Sequence, residues 1–340
     1  MADMNSAYIA HIIADSPAGP RGDTVLSPLL ASDLSNLMLL CDVHHRLVDR
    51  DDVAGHPADR LQRMKQQHET RIELLTSLHE DRKSHVILYG ANIGDHRAQI
   101  SATGAIQAMT PDRYPADTLT IRLGLGNSPF TDAEEIAWAI ERESLARQFA
   151  DQVKPRLMTG DGHHFSVFGL APQPLLMDLG RLLSDIPAAE VYQLHREPQG
   201  WRWQEHPQDF RYDVRPPDTR HKCVALNLSL SATIADARIA EVLQHDHSVW
   251  TLTVPAPGND FLKSKLQLLG FREAFRSLLN RIKAEHGEDA VIHVFPAVPV
   301  SVAVEIGRVW MPKADLPLRI YDQNRKRGGF VHALDFNRNT

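Results

Sequence analysis

At 340 residues, with 43% hydrophobic and 24% charged side chains, the chain has the make-up of a soluble globular protein long enough for two domains with cores of their own. A formal net charge of −6 excludes a protein that coats nucleic acid by bulk attraction, and a cysteine complement of Cys41 and Cys223 excludes a disulfide framework. No stretch has the uninterrupted apolar length of a membrane helix and no signal-peptide pattern opens the chain, so a cytoplasmic location is expected.

Residues 1 to about 80 read as one small domain. Ala10-His11-Ile12-Ile13 sets a histidine into an apolar strand, the turn Pro17 to Gly22 follows it, and Pro28 to Asn36 is a loop or short helix. The apolar run after Asn36 ends at Cys41, and His44 and His45 follow within one helical turn, which gathers metal-capable side chains where a strand or turn enters a helix. Pro57 then opens a helix on which Leu61, Met64, His68 and Ile72 fall at helical spacing, with His68 on its packed or solvated side. Arg21, Arg46, Arg50, Arg60, Arg63 and Lys65 supply either a local concentration of cations or a solvated helix face.

The polar run Glu80 to Ser84 is a junction, and apolar strands then alternate with helices. Strands are expected at His85 to Gly90, Thr118 to Leu125, His164 to Leu170 and Glu190 to His195. Helices are expected from Thr131 towards Val153 and at Leu175 to Leu183. Phe168 to Arg181 matches Phe295 to Arg308 without a gap, with Phe, Pro, an acidic residue, Gly and Arg in register. This repeat implies a duplicated α/β fold. The second copy supplies strands at Cys223 to Leu230, Val249 to Val254, Val291 to Phe295 and Leu318 to Tyr321, and a long helix from Phe261 to Glu285. Ligands of such folds bind at the carboxyl ends of the strands, where helix N-termini direct amides at phosphates. The loops concerned are Gly90 to Gly94, Ala171 to Pro174, Ser229 to Thr233, Pro255 to Lys263 and Val298 to Ser301, and two facing halves would make one pocket with pseudo-twofold symmetry.

The order His11, Asn36, His45, within Asn-Leu-x-x-Leu-Cys-x-x-His-His-x-x-x-Asp, resembles the HNH nucleases of the ββα-metal class. The resemblance implies that His11 is the general base, Asn36 its orienter and His45 the ligand of a catalytic Mg²⁺ or Mn²⁺. Cys41 and His44 resemble half of that family's structural Zn²⁺ site. The family's other zinc-ligand pair comes from well upstream, so either the natural start precedes Met1 or a strand and its zinc have been lost. Asp15, Asp23 and Asp49 are open alternatives for a second catalytic metal ligand.

Val167 to Leu176, Tyr192 to Pro198, Trp201-Arg202-Trp203, Leu228 to Ser231 and His293 to Ser301 resemble the SAVED domain, over about residues 84 to 340. That family fuses two CARF-like, Rossmann-related units, here about 84–210 and 220–340, and senses cyclic nucleotides. The whole chain therefore resembles the HNH–SAVED effector nucleases of bacterial CBASS anti-phage defence. The resemblance implies a metal-dependent endonuclease acting on double-stranded DNA, with a cyclic di- or trinucleotide as activator. It also implies a homo-oligomer, a dimer or higher order once ligand binds, with no membrane partner. Gln173, Trp201, Trp203, Ser231, Asn259, Lys263 and Pro299 are the candidate ligand contacts. Trp201 and Trp203 alternate along one strand, so a stacked base and a packed sheet face are both open to them. The alternative function is a cyclic-nucleotide sensor that acts by assembly alone, with an inactive or truncated HNH domain.

Overall fold

The computed structural model describes residues 7–76, 80–126, 128–158, 164–324 and 326–338. The chain divides into two units, Met1–His79 and Glu80–Thr340.

In the first unit β1 (Ala7–His11) pairs antiparallel with β2 (Leu37–Cys41), in register from Ala7 opposite Cys41 to His11 opposite Leu37. Between them lie α1 (Leu26–Leu30) and a 3-10 turn over Leu34–Asn36, whose Ser35 amide donates to the Asp33 carboxylate. β2 runs straight into α2 (Asp42–Arg46), which widens into a π-turn over Leu47–Asp51, and α3 (Ala58–Thr76) follows. Ile12, Val48 and Leu61 form the core, with Met38 and Leu40 against it. Arg21 ties the end of β1 to the π-turn by donating to the carbonyls of Ile12 (2.7 Å) and Val48 (2.6 Å). The helical spacing of Leu61, Met64, His68 and Ile72 is present in α3, but only Leu61 is buried. The other three are exposed, because the small core reaches only the first turn of that helix.

The second unit opens with β3 (Lys83–Gly90), whose Val86-Ile87-Leu88-Tyr89 core is buried on both faces, as a central parallel strand requires. Then come α4 (Ala102–Met109), β4 (Tyr114–Pro115), β5 (Ile121–Leu123), α5 (Glu135–Gln152), α6 (Lys154–Met158), β6 (Phe165–Leu170), α7 (Gln173–Leu183) and β7 (Ala189–Tyr192). β4 and β5 share one edge of β3, and β6 then β7 extend the other, all parallel. A short hairpin, β8 (His195–Arg196) with β9 (Gln199–Gly200), leads through β10 (Asp213–Arg215) into the second half. That half comprises β11 (Cys223–Ser229), α8 (Asp236–Leu243), β12 (His247–Thr253), α9 (Lys265–His286), β13 (Ile292–Ala297), α10 (Val300–Val309), β14 (Leu318–Asn324) and β15 (Gly329–Phe336). Its sheet order is β10-β12-β11-β13-β14-β15, antiparallel only at the two edges.

Strand order β5-β3-β6-β7 in one half repeats as β12-β11-β13-β14 in the other, so the α/β fold is doubled. α7 and α10, which carry the internal repeat, pack against each other. Within α7, Arg181 pairs with Asp178 at 2.7 Å, and within α10 Arg308 pairs with Glu305 at 2.9 Å, the same three-residue step in each copy. Several boundaries differ from the sequence expectations. The strand over Thr118 to Leu125 contracts to Ile121–Leu123. The helix expected at Thr131 begins at Glu135, since the Glu134 side chain accepts from the Thr131 amide. α9 starts at Lys265 rather than Phe261, because Ser264 and Gln267 close a reciprocal capping box. Among the described residues no helix is long and apolar enough to cross a membrane.

Candidate functional site

A cavity of about 480 Å³ lies where the carboxyl ends of parallel strands from both halves meet. Leu170 ends β6, Gln193 to Arg196 follow β7, Ser231 follows β11, and Val298 to Val300 link β13 to α10. Gln173, the first residue of α7, and Val300, the first of α10, both line it, so two helix N-termini open on one space. Pro172 and Pro299, which carry no side-chain acceptor, stand at the two caps. The positive ends of both helix dipoles are therefore directed at the cavity, an arrangement suited to anionic groups.

The two halves are stitched together at this point. Gln173 Oε1 accepts from the Val298 amide at 3.2 Å, and Gln193 Oε1 accepts from Ser301 Oγ at 2.8 Å and from its amide at 3.3 Å. A larger groove, about 710 Å³, lies on the second half alone, lined by Asn227, Ser229, Thr251 and Thr253. Its Asn227 and Ser229 are already paired with each other and with the carbonyl and amide of Ile234. Both halves and two helix N-termini converge on the smaller cavity instead.

In the first unit, His11 Nε2 lies 2.9 Å from the carbonyl of Ala31. A carbonyl only accepts, so Nε2 carries the proton and a neutral ring keeps its lone pair on Nδ1. Asn36 is buried and brackets Ile13: its Oδ1 accepts from the Ile13 amide and its Nδ2 donates to the Ile13 carbonyl, both at 2.8 Å. His45 stacks on Tyr8 with ring centroids 5.1 Å apart, and its Nε2 meets Asp49 Oδ2 at 3.1 Å. The other oxygen of Asp49 takes Arg21 Nη2 at 2.5 Å. Cys41 Sγ and His44 Nδ1 are 3.0 Å apart and exposed, and hydrogen bonds from the His44 backbone and ring hold the thiol below its usual range. Among the described residues no three His, Cys, Asp or Glu side chains form a group that could hold a metal ion.

Residues 145–336 match the family model for the SMODS-associated and fused to various effectors sensor domain, SAVED, which is more than half of the chain. The chain belongs to the SAVED family. It is similar to the Cap4 SAVED/CARF-domain containing receptor of Acinetobacter baumannii, with 13% identity over 75% of this chain and 50% of that one, at a TM-score of 0.47. The same receptor with the cyclic trinucleotide 3'3'3'-cAAA aligns at 15% identity over 75% of this chain and 52% of that one, with a TM-score of 0.44. The Moraxella osloensis Cap4 receptor aligns at 13% identity over 75% and 50%, with a TM-score of 0.43. The chain thus spans about half the length of these receptors. No curated protein matches it.

Within the SAVED region, Gln173, Ser231, Asn259 and Pro299 are brought together as cavity lining. Trp201, Trp203 and Lys263 are not. Trp201 is buried with its ring meeting Phe168 edge-on at 5.3 Å, so it fills the core beside β6. Trp203 donates from Nε1 to Glu190 at 2.9 Å and lines a separate surface near the amino end of β7. The Lys263 ammonium is held in a close ion pair by Asp260. Gln193 and His195 also line the cavity, and neither is among the candidates the sequence offers, although both lie in the stretch that carries the SAVED resemblance. Alternation along β7 was the available signal, but that strand ends at Tyr192 and the period stops short of them.

Proposed function

We propose that residues 80–340 are a sensor for a cyclic di- or trinucleotide, bound in the 480 Å³ cavity, and that binding gates an effector made by residues 1–79. The observation that carries this reading is the pair of helix N-termini, α7 and α10, opening on one cavity lined from both copies of the repeat. A cyclic oligonucleotide repeats a phosphate around a ring, and a site with repeated positive helix poles complements it. The volume falls within the span of roughly 300–1,000 Å³ common to small-molecule sites. SAVED family membership and the cyclic trinucleotides carried by the Acinetobacter baumannii receptors add weight.

The effector is an HNH endonuclease acting on double-stranded DNA, assembled into its active form by ligand-driven oligomerisation. Support comes from the order strand, strand, helix over β1, β2 and α2, with His11 ending β1, Asn36 entering β2 and His45 inside α2. In this mechanism His11 Nδ1 takes a proton from the attacking water while the Ala31 carbonyl holds the ring by Nε2. Asn36 keeps the chain after His11 in place through its two bonds to Ile13. The residues described do not by themselves fit the divalent ion that HNH chemistry implies, and Cys41 with His44 gives two donors where a structural zinc needs four.

A second reading, in which residues 1–79 act in assembly alone, is favoured by Asp49, whose carboxylate is already shared between Arg21 and His45. Plasmid cleavage with Mg²⁺ or Mn²⁺ separates the two. The nuclease reading expects cutting that depends on one cyclic nucleotide and disappears in His11→Ala. A ligand that changes the oligomer mass without any cutting supports the second reading, and cutting indifferent to ligand contradicts both.

A further inference from the structure

Cys41 ends β2 and stands at the N-cap of α2, where its side chain makes no capping bond, and His44 follows inside the first turn. Their Sγ and Nδ1 atoms are 3.0 Å apart, and both residues are exposed. A thiolate and an imidazole on one tetrahedral Zn²⁺ stand about 3.5 Å apart, given bonds of about 2.3 and 2.0 Å, so the pair has only to open slightly around the ion. The neighbouring carboxylate, Asp42, is turned to Arg46 at 2.7 Å. Among the described residues no further His, Cys, Asp or Glu joins Cys41 and His44 in a group that could hold a metal.

Beside this pair lies an apolar face. Residues two apart in a strand share a side, and Cys41 stands opposite Ala7 as Leu39 stands opposite Ile9. Leu39 is 72% exposed, Ile9 69% and Val43, next to His44, 65%. The alternate residues turn the other way: Ala10 is buried, and Met38 and Leu40 pack on the core of Ile12, Val48 and Leu61. A core this small is ordinarily supplemented by a disulfide, a metal or a subunit contact. The outer face carries two metal donors and an apolar surface together.

We infer that residues 1–79 pair with those of a second copy of this chain across this face, clamped by one Zn²⁺ that takes Cys41 Sγ and His44 Nδ1 from each copy. A tetrahedron has twofold axes that exchange its ligands in pairs, so two identical Cys–His pairs complete the four donors that one pair lacks. The same axis carries Ile9 and Leu39 up to the apolar face of the other copy. On binding, each Cys41 releases its thiol proton to solvent and each His44 coordinates as the neutral imidazole. Two thiolates then balance the double charge of the ion, which leaves a neutral centre to be enclosed. His11 lies at the other end of the face, about 13 Å along β1 from Ala7, so the clamp and the proposed base are well separated. The pairing needs no nucleotide, and it stands whether or not residues 1–79 cut DNA.

The test is the zinc content and mass of the full chain without nucleotide, in a reductant that excludes a Cys41 disulfide, before and after a chelator and with Zn²⁺ restored. Wild type is expected to hold one Zn²⁺ per two chains as a dimer, to associate about tenfold or more weakly once chelated, and to recover with Zn²⁺. Cys41→Ser and His44→Ala, at exposed positions, should each lose the ion and the zinc-dependent association while keeping the wild-type circular dichroism. Leu39→Glu keeps all four donors but sets like charges on the apolar face, so its zinc-bound dimer should also be about tenfold weaker or more. One Zn²⁺ per chain on a monomer overturns the inference, because the chain then completes the site alone. A wild type that takes up no zinc overturns it, as does a dimer indifferent to chelator and to both ligand variants. Leu39→Glu that dimerises as wild type does also overturns it, since the second copy then lies elsewhere.

Discussion

Gly180 and Gly307 occupy equivalent places in α7 and α10, and each packs against the backbone of the other's helix. A Cβ on Gly180 would lie 1.9 Å from the carbonyl oxygen of Val304, and one on Gly307 would lie 1.8 Å from that of Met177. Met177 and Val304 are themselves equivalent in the repeat, so one contact is made twice about an approximate twofold axis. A Cβ is fixed by the backbone, and no rotamer moves it out of the way. The absence of side chains at these two points therefore sets how closely the halves approach.

Gly180→Ala and Gly307→Ala are each expected to destabilise the fold by about 2–3 kcal/mol or more, by overpacking against backbone that cannot yield locally. Urea unfolding of both single variants and the double checks this. The singles should cost similar amounts, and the double less than their sum, since the first substitution already moves the helices apart. Wild-type stability in either single variant would show that the close approach is not structural.

Asn36→Ala should loosen the first unit selectively. It leaves the amide and carbonyl of Ile13 and the carbonyl of Leu30 without their partner, at a cost of about 1–3 kcal/mol. Asn36→Asp keeps an acceptor for the Ile13 amide but buries a carboxylate oxygen against the carbonyls of Ile13 and Leu30, so it should cost at least as much as alanine. Hydrogen exchange at Ile12 and Ile13 is the direct readout, and protection equal to wild type in Asn36→Ala would refute the bracketing role.

Arg308 is buried and donates to the carbonyls of Ser184 (3.0 Å), Pro187 (3.1 Å) and Ala189 (3.3 Å) as well as to Glu305. Arg308→Met strands those acceptors and weakens the pairing of a buried carboxylate, so a loss of about 3–5 kcal/mol is expected. Denaturant midpoints measure it, and a change under 1 kcal/mol would contradict the account.

His164 gives the pH dependence a sign. Burial, then the charges of Arg113, Arg308 and Lys265, push its imidazole down from 6.5 to about 3, and Nδ1 is paired with Ser84 Oγ at 2.9 Å. The unfolded chain takes up the proton at the ordinary value, the folded chain only near 3. The stability His164 contributes is therefore complete above pH 6.5 and is lost as pH falls towards 3. His164→Gln does not titrate, so its stability should fall less steeply than wild type over that window, by on the order of a few kcal/mol in total. Parallel curves for the two proteins would remove His164 from the explanation.

The doubled fold was legible because each position shared by the two copies has a geometric role. Pro172 and Pro299 stand at helix starts, Asp178 with Arg181 and Glu305 with Arg308 pair one turn apart, and Gly180 and Gly307 admit a neighbouring backbone. The hairpin of β8 and β9 was illegible, since two-residue strands are too short to show a period. α8 buries only Ile239 and Leu243, a single helical step with too little pattern to read. At the site, Gln173 and Pro299 followed from their place at helix starts. Trp201 and Trp203 did not follow from their alternation, because a period of two says which residues share a face and not what covers that face.

Calorimetric titration of the full chain with cyclic di- and trinucleotides tests the central claim most directly, comparing wild type with Gln173→Ala/Asn259→Ala and with a control, Thr251→Val, in the larger groove. The account predicts one ligand per chain for at least one member of the panel, weakened about tenfold or more by the cavity pair and left unchanged by the control. Binding that survives the cavity pair but fails in Thr251→Val, or no binding by any member of the panel, would contradict it.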